Sequence, residues 1–270
     1  MPERLPYWHV DAFADRPFKG NQAAVMPLDR WLPDDVLQAI GEENNFAETA
    51  FLVKDASGAA DWELRWFTPA CEIRLCGHAT LASGHVLLDP ANGFGGGDCV
   101  TFRTRKAGLL EVRRSDAGYE LALPAIPTKR GEWAEATALL GAEPLEVWRN
   151  PDRYNIFLFK DEAQVRALDP DLRGLGALGD DQFICTAPGE RFDVVSRVFV
   201  PGGGVDEDSV TGSAHAVLTP FWAARLGRES FTAHQASLRG GDLACRLEND
   251  RAWLGGPCVT VVEGRFYLSG

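Results

Sequence analysis

Glu207-Asp208-Ser209-Val210-Thr211-Gly212-Ser213-Ala214-His215 is the stretch from which the architecture of this chain can be worked out. A glycine-rich turn, residues 201–204, precedes it, and an almost uncharged segment, residues 214–224, follows it. Acidic residues, then Ser, Thr and Gly, then an apolar run are typical of a loop that enters a buried helix. The start of a helix carries unpaired N–H groups and partial positive charge, so it can bind an anion. The alternative is that Asp208 or Ser209 only caps the helix.

An earlier part of the chain repeats this arrangement. Arg65-Trp66-Phe67-Thr68-Pro69 precedes Cys76-Gly77-His78-Ala79-Thr80, as Arg197-Val198-Phe199-Val200-Pro201 precedes the stretch from Thr211 to His215. Each copy has Arg-x-Phe-x-Pro on a predicted strand, then a polar loop, a glycine and a helix start made of small residues. A repeat of half-chain period indicates two similar lobes. If pseudo-twofold symmetry relates the lobes, both helix starts meet in one cleft, and we expect the active site there.

Length and charge restrict the class of protein. A chain of 270 residues is long enough for two ordinary domains. Its 45% hydrophobic and 24% charged residues are typical of a globular protein. The net charge of −12 argues against a nucleic-acid partner or an anionic membrane surface, because both would repel the protein.

The sequence also favours a cytoplasmic location. No apolar stretch reaches the roughly 18 residues that a membrane-spanning helix needs, and residues 1–7 lack the pattern of a secretory signal. The six cysteines form no C-x-x-C pair, so reduced thiols are expected.

The alternation of apolar and polar residues predicts many short strands and one apolar helix per lobe. The first apolar helix runs from His78 to about Leu88. It contains no Asp, Glu, Lys or Arg before Asp89, so it must be surrounded by protein. We therefore predict an α+β fold of two pseudo-symmetric lobes, each a curled mixed β-sheet or barrel around a central apolar α-helix. The predicted lobes are residues 1–127 and 128–270, divided after Pro124-Ala125-Ile126-Pro127.

Three motifs in this order resemble the phenazine-biosynthesis isomerase-like (PhzF-like) family, over nearly the whole chain. They are Asn45-Phe46-Ala47-Glu48-Thr49, Phe67-Thr68-Pro69 with Cys76-Gly77-His78-Ala79-Thr80, and Glu207-Asp208-Ser209-Val210-Thr211-Gly212-Ser213-Ala214. Val10-Asp11-Ala12-Phe13 and Phe18-x-Gly20-Asn21 fit it too. The resemblance implies the diaminopimelate-epimerase fold, in which two pseudo-symmetric halves each enclose a helix.

The resemblance further implies an isomerase that transfers a proton, without a cofactor, on a small carboxylate-bearing metabolite, and a homodimer. The position that matches the family's proton-transferring glutamate is Glu48. His78, Asp208 and Ser213 match positions that line the family's site, and the amides of Gly77, His78, Gly212 and Ser213 would bind the substrate carboxylate. The proposed catalytic residues are thus Glu48, His78 and Asp208, with Gly77, Gly212 and Ser213 for substrate binding. From the residues alone, an exposed carboxylate at a strand end would be the expected role of Glu48, because glutamates are mostly exposed. The motif match reverses that expectation.

Several alternatives follow from the same residues. A racemase or epimerase of this fold would use two facing cysteines, and Cys76 stands in the first position but Thr211 in the second. A serine hydrolase based on Ser213 and His215 lacks the Gly-x-Ser-x-Gly motif. A catalytically silent protein that binds small acids remains open. The five histidines are scattered, so no metal site is predicted.

Overall fold

The computed structural model describes residues 3–268, which form two compact units. One unit contains the chain up to Ala122 together with the segment from Gly255 onward, and the other is Leu123–Leu254. The predicted lobes, 1–127 and 128–270, differ from this division at the C-terminal end. Cys258–Leu268 pairs antiparallel with Glu3–Ala12, so the last strand belongs to the first unit. Residues 1, 2, 269 and 270 of the predicted lobes lie outside the described residues.

Short strands dominate both units. The elements of the first half are β1 (Glu3–Ala12), β2 (Asn21–Leu28), α1 (Asp34–Asn44), β3 (Glu48–Lys54), β4 (Trp62–Phe67), β5 (Glu72–Ile73), α2 (Gly77–Leu88), β6 (Cys99–Thr104), β7 (Leu109–Ser115) and β8 (Gly118–Pro124). Those of the second half are β9 (Lys129–Gly131), α3 (Ala134–Leu140), β10 (Glu146–Arg149), β11 (Tyr154–Leu158), α4 (Glu162–Ala167), α5 (Leu172–Ala177), β12 (Gln182–Pro188), β13 (Val194–Val200), β14 (Val205–Glu207), α6 (Gly212–Leu226), β15 (Ser230–Gln235), β16 (Gly241–Glu248), β17 (Arg251–Gly256) and β18 (Cys258–Leu268).

The first unit is a mixed sheet that surrounds α2. Its strands are hydrogen-bonded in the order β18-β1-β2-β3-β4-β6-β7-β8; β2 with β3 and β4 with β6 are parallel, and the other pairs are antiparallel. Helix α2 contacts β1, β2, β3, β6, β7 and β18, and every residue of it except His85 is buried. Gly84 allows this close packing, because a Cβ there would lie 2.3 Å from Val112 Cγ1.

The second unit repeats this topology. Its strands run in the order β9-β10-β11-β12-β13-β15-β16, with β11–β12 and β13–β15 parallel. In each unit the buried helix links two parallel strands: α2 joins β4 to β6 as α6 joins β13 to β15. The α+β fold predicted from the repeated motif is therefore confirmed. Pro220 lies inside α6.

Smaller helices cover the outer faces of the sheets. In the first unit, Leu37 and Ile40 of α1 belong to one apolar cluster with Met26, Phe51 and Phe67. In the second unit, α3, α4 and α5 contribute Leu140, Val165 and Leu175 to a cluster with aromatic residues of the sheet. Helix α5 was not predicted, because its six residues include two glycines and glycine disfavours helix. Within residues 3–268, no helix combines the length and apolar character that crossing a bilayer requires.

Candidate active site

Glu48 is the first residue of β3, and the chain enters this strand through a sharp turn. Helix α1 ends at Asn44, and Asn45 adopts the left-handed conformation with φ 50°, which asparagine tolerates better than most residues. The side-chain amide of Asn44 donates a hydrogen bond to Thr49 Oγ1 at 3.0 Å. Because successive side chains of a strand point to opposite faces, the Glu48 carboxylate lies on the face opposite this bond. The Glu48 side chain is 14% exposed.

The carboxylate of Glu48 meets His78 from the first turn of α2. His78 Nε2 lies 2.9 Å from Glu48 Oε2, and the imidazole is 5% exposed. Oε2 itself is buried, yet it receives no directional hydrogen bond from residues 3–268. The contact is a close ion pair at hydrogen-bonding distance, in which the N–H is poorly aligned with the oxygen. A buried carboxylate oxygen without a hydrogen bond is unusual, and it leaves a lone pair free for a bound molecule.

Asn21 and Cys76 hold the other side of the imidazole. Asn21 Nδ2 lies 3.1 Å and Cys76 Sγ 3.5 Å from His78 Nδ1. An amide NH₂ donates to the neutral imidazole, and the same amide, turned over, accepts from the imidazolium through its oxygen. Asn21 can thus serve both protonation states. It reaches this position because Gly20, with φ 62°, turns the chain so tightly that a Cβ would lie 2.1 Å from Ala12 O.

These contacts shift two pKa values. Burial would lower the pKa of His78, but the neighbouring Glu48 carboxylate opposes burial and raises this pKa well above its ordinary value. Burial, reinforced by Glu48, raises the pKa of the Cys76 thiol to about 11. Because the thiolate is the reactive form of cysteine, Cys76 is a neutral thiol near pH 7 and is poorly suited to remove a proton. This argues against a mechanism that uses a cysteine base.

In the second unit, the loop before α6 holds Asp208 and Thr211. Thr211 Oγ1 donates to Asp208 Oδ2 at 2.7 Å. The fully buried Gln235 accepts from Thr211 N at 2.8 Å and donates to the Asp208 carbonyl at 2.7 Å. These hydrogen bonds therefore hold the loop at Asp208 and again at Thr211. Sequence reasoning missed Gln235, because this residue lies on β15, beyond α6, and is distant along the chain from the loop that it binds.

The remaining predicted residues of this unit lie at the start of α6. Gly212 is the first helical residue, and Ser213 Oγ lies 3.2 Å from Gln182 Nε2. His215 turns away from Ser213: its Nδ1 lies 2.8 Å from the Thr211 carbonyl and its Nε2 3.5 Å from Ser196 Oγ. Burial lowers the pKa of His215 to about 4. A serine–histidine pair built on Ser213 and His215 has no support in this geometry.

The two arginines of the repeated motif hold the two helix starts in the same way. Arg65 on β4 makes a forked pair with Glu72 on β5, both bonds 2.8 Å long, and Nη1 bonds Asp34 at 2.8 Å. Arg197 on β13 makes the equivalent pair with Glu207 on β14, at 2.7 and 3.0 Å. Each pair closes the hairpin that leads into α2 or α6. The sequence showed the arginines as part of a repeat but did not show their partners.

The structure thus brings the predicted residues together in two sets. Glu48, Gly77 and His78 are neighbours in the first unit, while Asp208, Gly212 and Ser213 lie on one loop and helix start of the second. That the two sets share one cleft stays a prediction. The first set also contains a possible metal-ligand group, which the sequence did not predict: one ligand atom each from Glu48, Cys76 and His78 lie within 4.8 Å of one another.

Comparison with known proteins assigns this arrangement to a family. The sequence pattern of the phenazine biosynthesis-like proteins matches residues 10–264. An uncharacterized isomerase of Pseudomonas aeruginosa is 45% identical over 267 residues, which are 98% of this chain and 100% of the relative. The crystal structure of a phenazine biosynthesis protein of the PhzF family from Enterococcus faecalis matches with a TM-score of 0.91 and 41% identity, over 98% of this chain and 100% of that chain.

A more distant likeness concerns the fold alone. A hydroxyproline epimerase from Agrobacterium vitis matches with a TM-score of 0.60 and 14% identity, over 99% of this chain and 93% of that chain.

Proposed function

This chain belongs to the phenazine biosynthesis-like protein family and is an isomerase, and on that premise we propose that it moves a proton on a small carboxylate-bearing metabolite without a cofactor. Glu48 is the proposed acid and base. The observation that carries this proposal is the buried Oε2 of Glu48, which lies beside His78 and receives no hydrogen bond from residues 3–268.

The proposed reaction needs one carboxylate that reaches two positions of the substrate. Glu48 removes a proton from one carbon and returns it to another, which requires hydrogen-bond reach to both carbons. Its location at a strand start, anchored by the neighbouring Thr49, keeps the backbone fixed while the side chain turns. His78, whose pKa is raised, supplies positive charge next to the carboxylate and can hold or relay a proton.

Negative charge develops on the substrate when the proton leaves, and helix starts are suited to stabilise it. Gly77 and His78 are the first residues of α2, and Cys76 provides no side-chain cap to their N–H groups. These N–H groups are therefore available for a substrate carboxylate. We assign the same role to Gly212 and Ser213 at the start of α6, and we assign a charged catalytic role to Asp208. The repeated motif and the family resemblance support these assignments.

The second candidate is a racemase or epimerase of the same fold, which Cys76 in the position of the first cysteine favours. Two observations speak against the two-cysteine form of that chemistry. Thr211 occupies the position of the second cysteine, and Cys76 is a thiol whose pKa is raised to about 11. A cytoplasmic location and a homodimer stay predictions.

Solvent-deuterium exchange tests the proposal. The protein is incubated in D₂O with a panel of small amino, hydroxy and unsaturated carboxylic acids, and the position of incorporated deuterium is read by NMR. Deuterium at a carbon that belonged to the double bond of the starting acid, with the double bond shifted, identifies a double-bond isomerase. Deuterium at the original carbon with inverted configuration identifies an epimerase instead.

The variant Glu48→Gln tests whether Glu48 is the base. Its matched control is Glu43→Gln, because Glu43 is an exposed glutamate at the end of α1. We expect Glu48→Gln to lose exchange by about 10³-fold, within the range for loss of a general base, while still binding the substrate by calorimetry. Equal exchange in both variants would contradict the role of Glu48. Substrate binding without exchange in the unaltered protein would identify a binding protein.

A further inference from the structure

Glu48, Cys76 and His78 form the one group of three potential metal-ligating side chains found within residues 3–268. We propose that these side chains bind a soft divalent cation, Zn²⁺ above all, and that the bound ion inhibits the protein. The inhibitory part rests on the proposed role of Glu48. The binding part rests only on the three side chains and their geometry.

The distances are close to those of a zinc centre. Zinc binds sulfur at about 2.3 Å and nitrogen or oxygen at about 2.0–2.2 Å in a tetrahedron, so neighbouring ligand atoms lie about 3.3–3.6 Å apart. Here Cys76 Sγ lies 3.9 Å from His78 Nε2, although it is nearer to Nδ1, at 3.5 Å. His78 Nε2 lies 2.9 Å from Glu48 Oε2, and the three ligand atoms all lie within 4.8 Å of one another. Small changes of side-chain torsion on each edge would therefore admit the ion.

The chemistry of the three ligands favours zinc over magnesium or calcium. Thiolate and imidazole are the ligands of zinc and of other soft or borderline cations, whereas magnesium and calcium take oxygen ligands. Binding displaces two protons to the solvent, that of the Cys76 thiol and the Nε2 proton of the protonated His78. The thiolate and the Glu48 carboxylate together then balance the charge of the dication, and the fourth coordination position stays open to water.

The surroundings supply the support that metal-ligating histidines require. The ring nitrogen that does not bind the metal needs an outer hydrogen-bond partner that fixes the imidazole. Asn21 holds this position: its amide lies 3.1 Å from His78 Nδ1 and, once turned over, accepts the Nδ1 proton through its oxygen. The Glu48 side chain, 14% exposed, gives the group access to solvent, whereas Cys76 is buried. Access from the carboxylate side gives the ion a path to the two inner ligands.

The occupied site cannot serve proton transfer, because the metal takes the lone pair of Glu48 that the reaction needs. Zn²⁺ is therefore an inhibitor that a chelator removes, and the chain would act fully only where free zinc is scarce. If the metal were instead the Lewis acid of the reaction, adding Zn²⁺ would increase exchange, and the inhibitory part would be wrong.

The first experiment measures binding and needs no substrate. Zn²⁺ affinity is measured by competition with a chromophoric chelator, and Co²⁺ is titrated to detect the near-ultraviolet thiolate-to-cobalt charge-transfer band. Cys76→Ala is compared with Cys71→Ala, which removes an exposed cysteine of the same unit. Loss of an outer partner alone typically costs 10–100-fold in affinity, so we expect Cys76→Ala to raise the Kd by more than about 100-fold and to abolish the band. Cys71→Ala keeps both.

Glu48→Gln and Asn21→Ala serve as second variants, because they leave the thiol in place. Glu48→Gln is expected to weaken Zn²⁺ binding strongly while it keeps the cobalt–thiolate band at high Co²⁺, and Asn21→Ala to weaken binding by about 10–100-fold. Circular dichroism spectra check that each variant is folded. No cobalt band in the unaltered protein, or a band that survives in Cys76→Ala, would overturn the site. Tight zinc binding without exchange on any substrate would leave the site intact and count against the proposed isomerisation alone.

Discussion

His78 Nε2 lies 2.9 Å from Glu48 Oε2, although the two residues come from different elements, the start of α2 and the start of β3. The pair joins a carboxylate whose Oε2 receives no directional hydrogen bond from residues 3–268 to an imidazole whose pKa is raised. The first two predictions concern what this pair and Asp208 do in the proposed reaction, and the last two concern stability.

The charge of His78 should shape the pH dependence of exchange. Since the pKa of His78 lies above its ordinary value of about 6.5, the imidazolium persists through neutral pH and is lost as pH rises through the raised pKa. We expect the rate of exchange to fall along an alkaline limb. His78→Gln keeps a neutral amide donor near Glu48 and should remove this limb, with a rate about 10²-fold lower. His85→Gln, on the same helix, is the control and should keep the limb. An unchanged profile in His78→Gln would contradict the prediction.

The carboxylate of Asp208 should matter for turnover but little for folding. Asp208→Asn removes the charge and keeps an oxygen that can accept the hydrogen bond of Thr211 Oγ1. We expect exchange to fall by at least about 10-fold while the midpoint of urea unfolding changes little. Asp206→Asn, an exposed neighbour on β14, should leave both unchanged. Exchange in Asp208→Asn equal to that of this control would remove Asp208 from the catalytic residues.

Loss of Arg65 should destabilise the first unit. Its side chain is 2% exposed and binds both Glu72 and Asp34, so Arg65→Met leaves a half-buried carboxylate without its partner. We expect a loss of about 3 kcal/mol in the free energy of unfolding. Arg16→Met breaks a pair whose side chains are both mostly exposed, and its cost should stay below about 0.5 kcal/mol.

A double variant separates the electrostatic contribution of the Arg65–Glu72 pair from the contribution of side-chain packing. Arg65→Met combined with Glu72→Gln removes the charge that the single variant leaves unpaired. We expect it to be less destabilised than the sum of the two single variants, as measured by urea unfolding. Additive losses would mean that the Arg65–Glu72 pair contributes no coupling energy.

His215 should make stability fall in mild acid. Burial lowers its pKa to about 4 from an ordinary value of about 6.5 in the unfolded chain, so between these values the unfolded state binds more protons and stability rises with pH. We expect the free energy of unfolding to drop by about 2 kcal/mol between about pH 7 and 5 from this residue. The raised pKa of His78 affects stability in the opposite direction. Its contribution to the free energy of unfolding is complete below about pH 6.5 and is lost at higher pH, mainly above this window.

His215→Asn tests this account, because asparagine can donate to the Thr211 carbonyl but does not titrate. The variant should be less stable overall, since a smaller side chain leaves a cavity, but its stability should depend less on pH in this window. Urea unfolding at a series of pH values measures the slope. An identical slope in both proteins would show that another group is responsible.

Much of the fold could be predicted because hydrophobic periodicity and turn-forming residues depend on neighbours along the chain. The uncharged run after Gly77 predicted α2, the repeated Arg-x-Phe-x-Pro predicted the duplicated topology, and Asn45-Phe46-Ala47-Glu48 placed Glu48 at a strand start. The unpredicted elements are short ones such as β10 and α5, whose sequences carry little periodicity. The place of β18 was also missed, because pairing with β1 depends on register between the two ends of the chain.

The sequence by itself determined which residues are candidates for the chemistry, where the two apolar helices begin, and to which family the chain belongs. Only the tertiary structure decided that Glu48, Cys76 and His78 meet, that Gln235 fastens the Asp208 loop, and that burial and neighbouring charges shift the pKa values of Cys76, His78 and His215 in different directions. The physical reason is that helix and strand patterns follow from neighbours along the chain. Charge states and ligand groups instead depend on which distant segments pack together and on how much water they exclude.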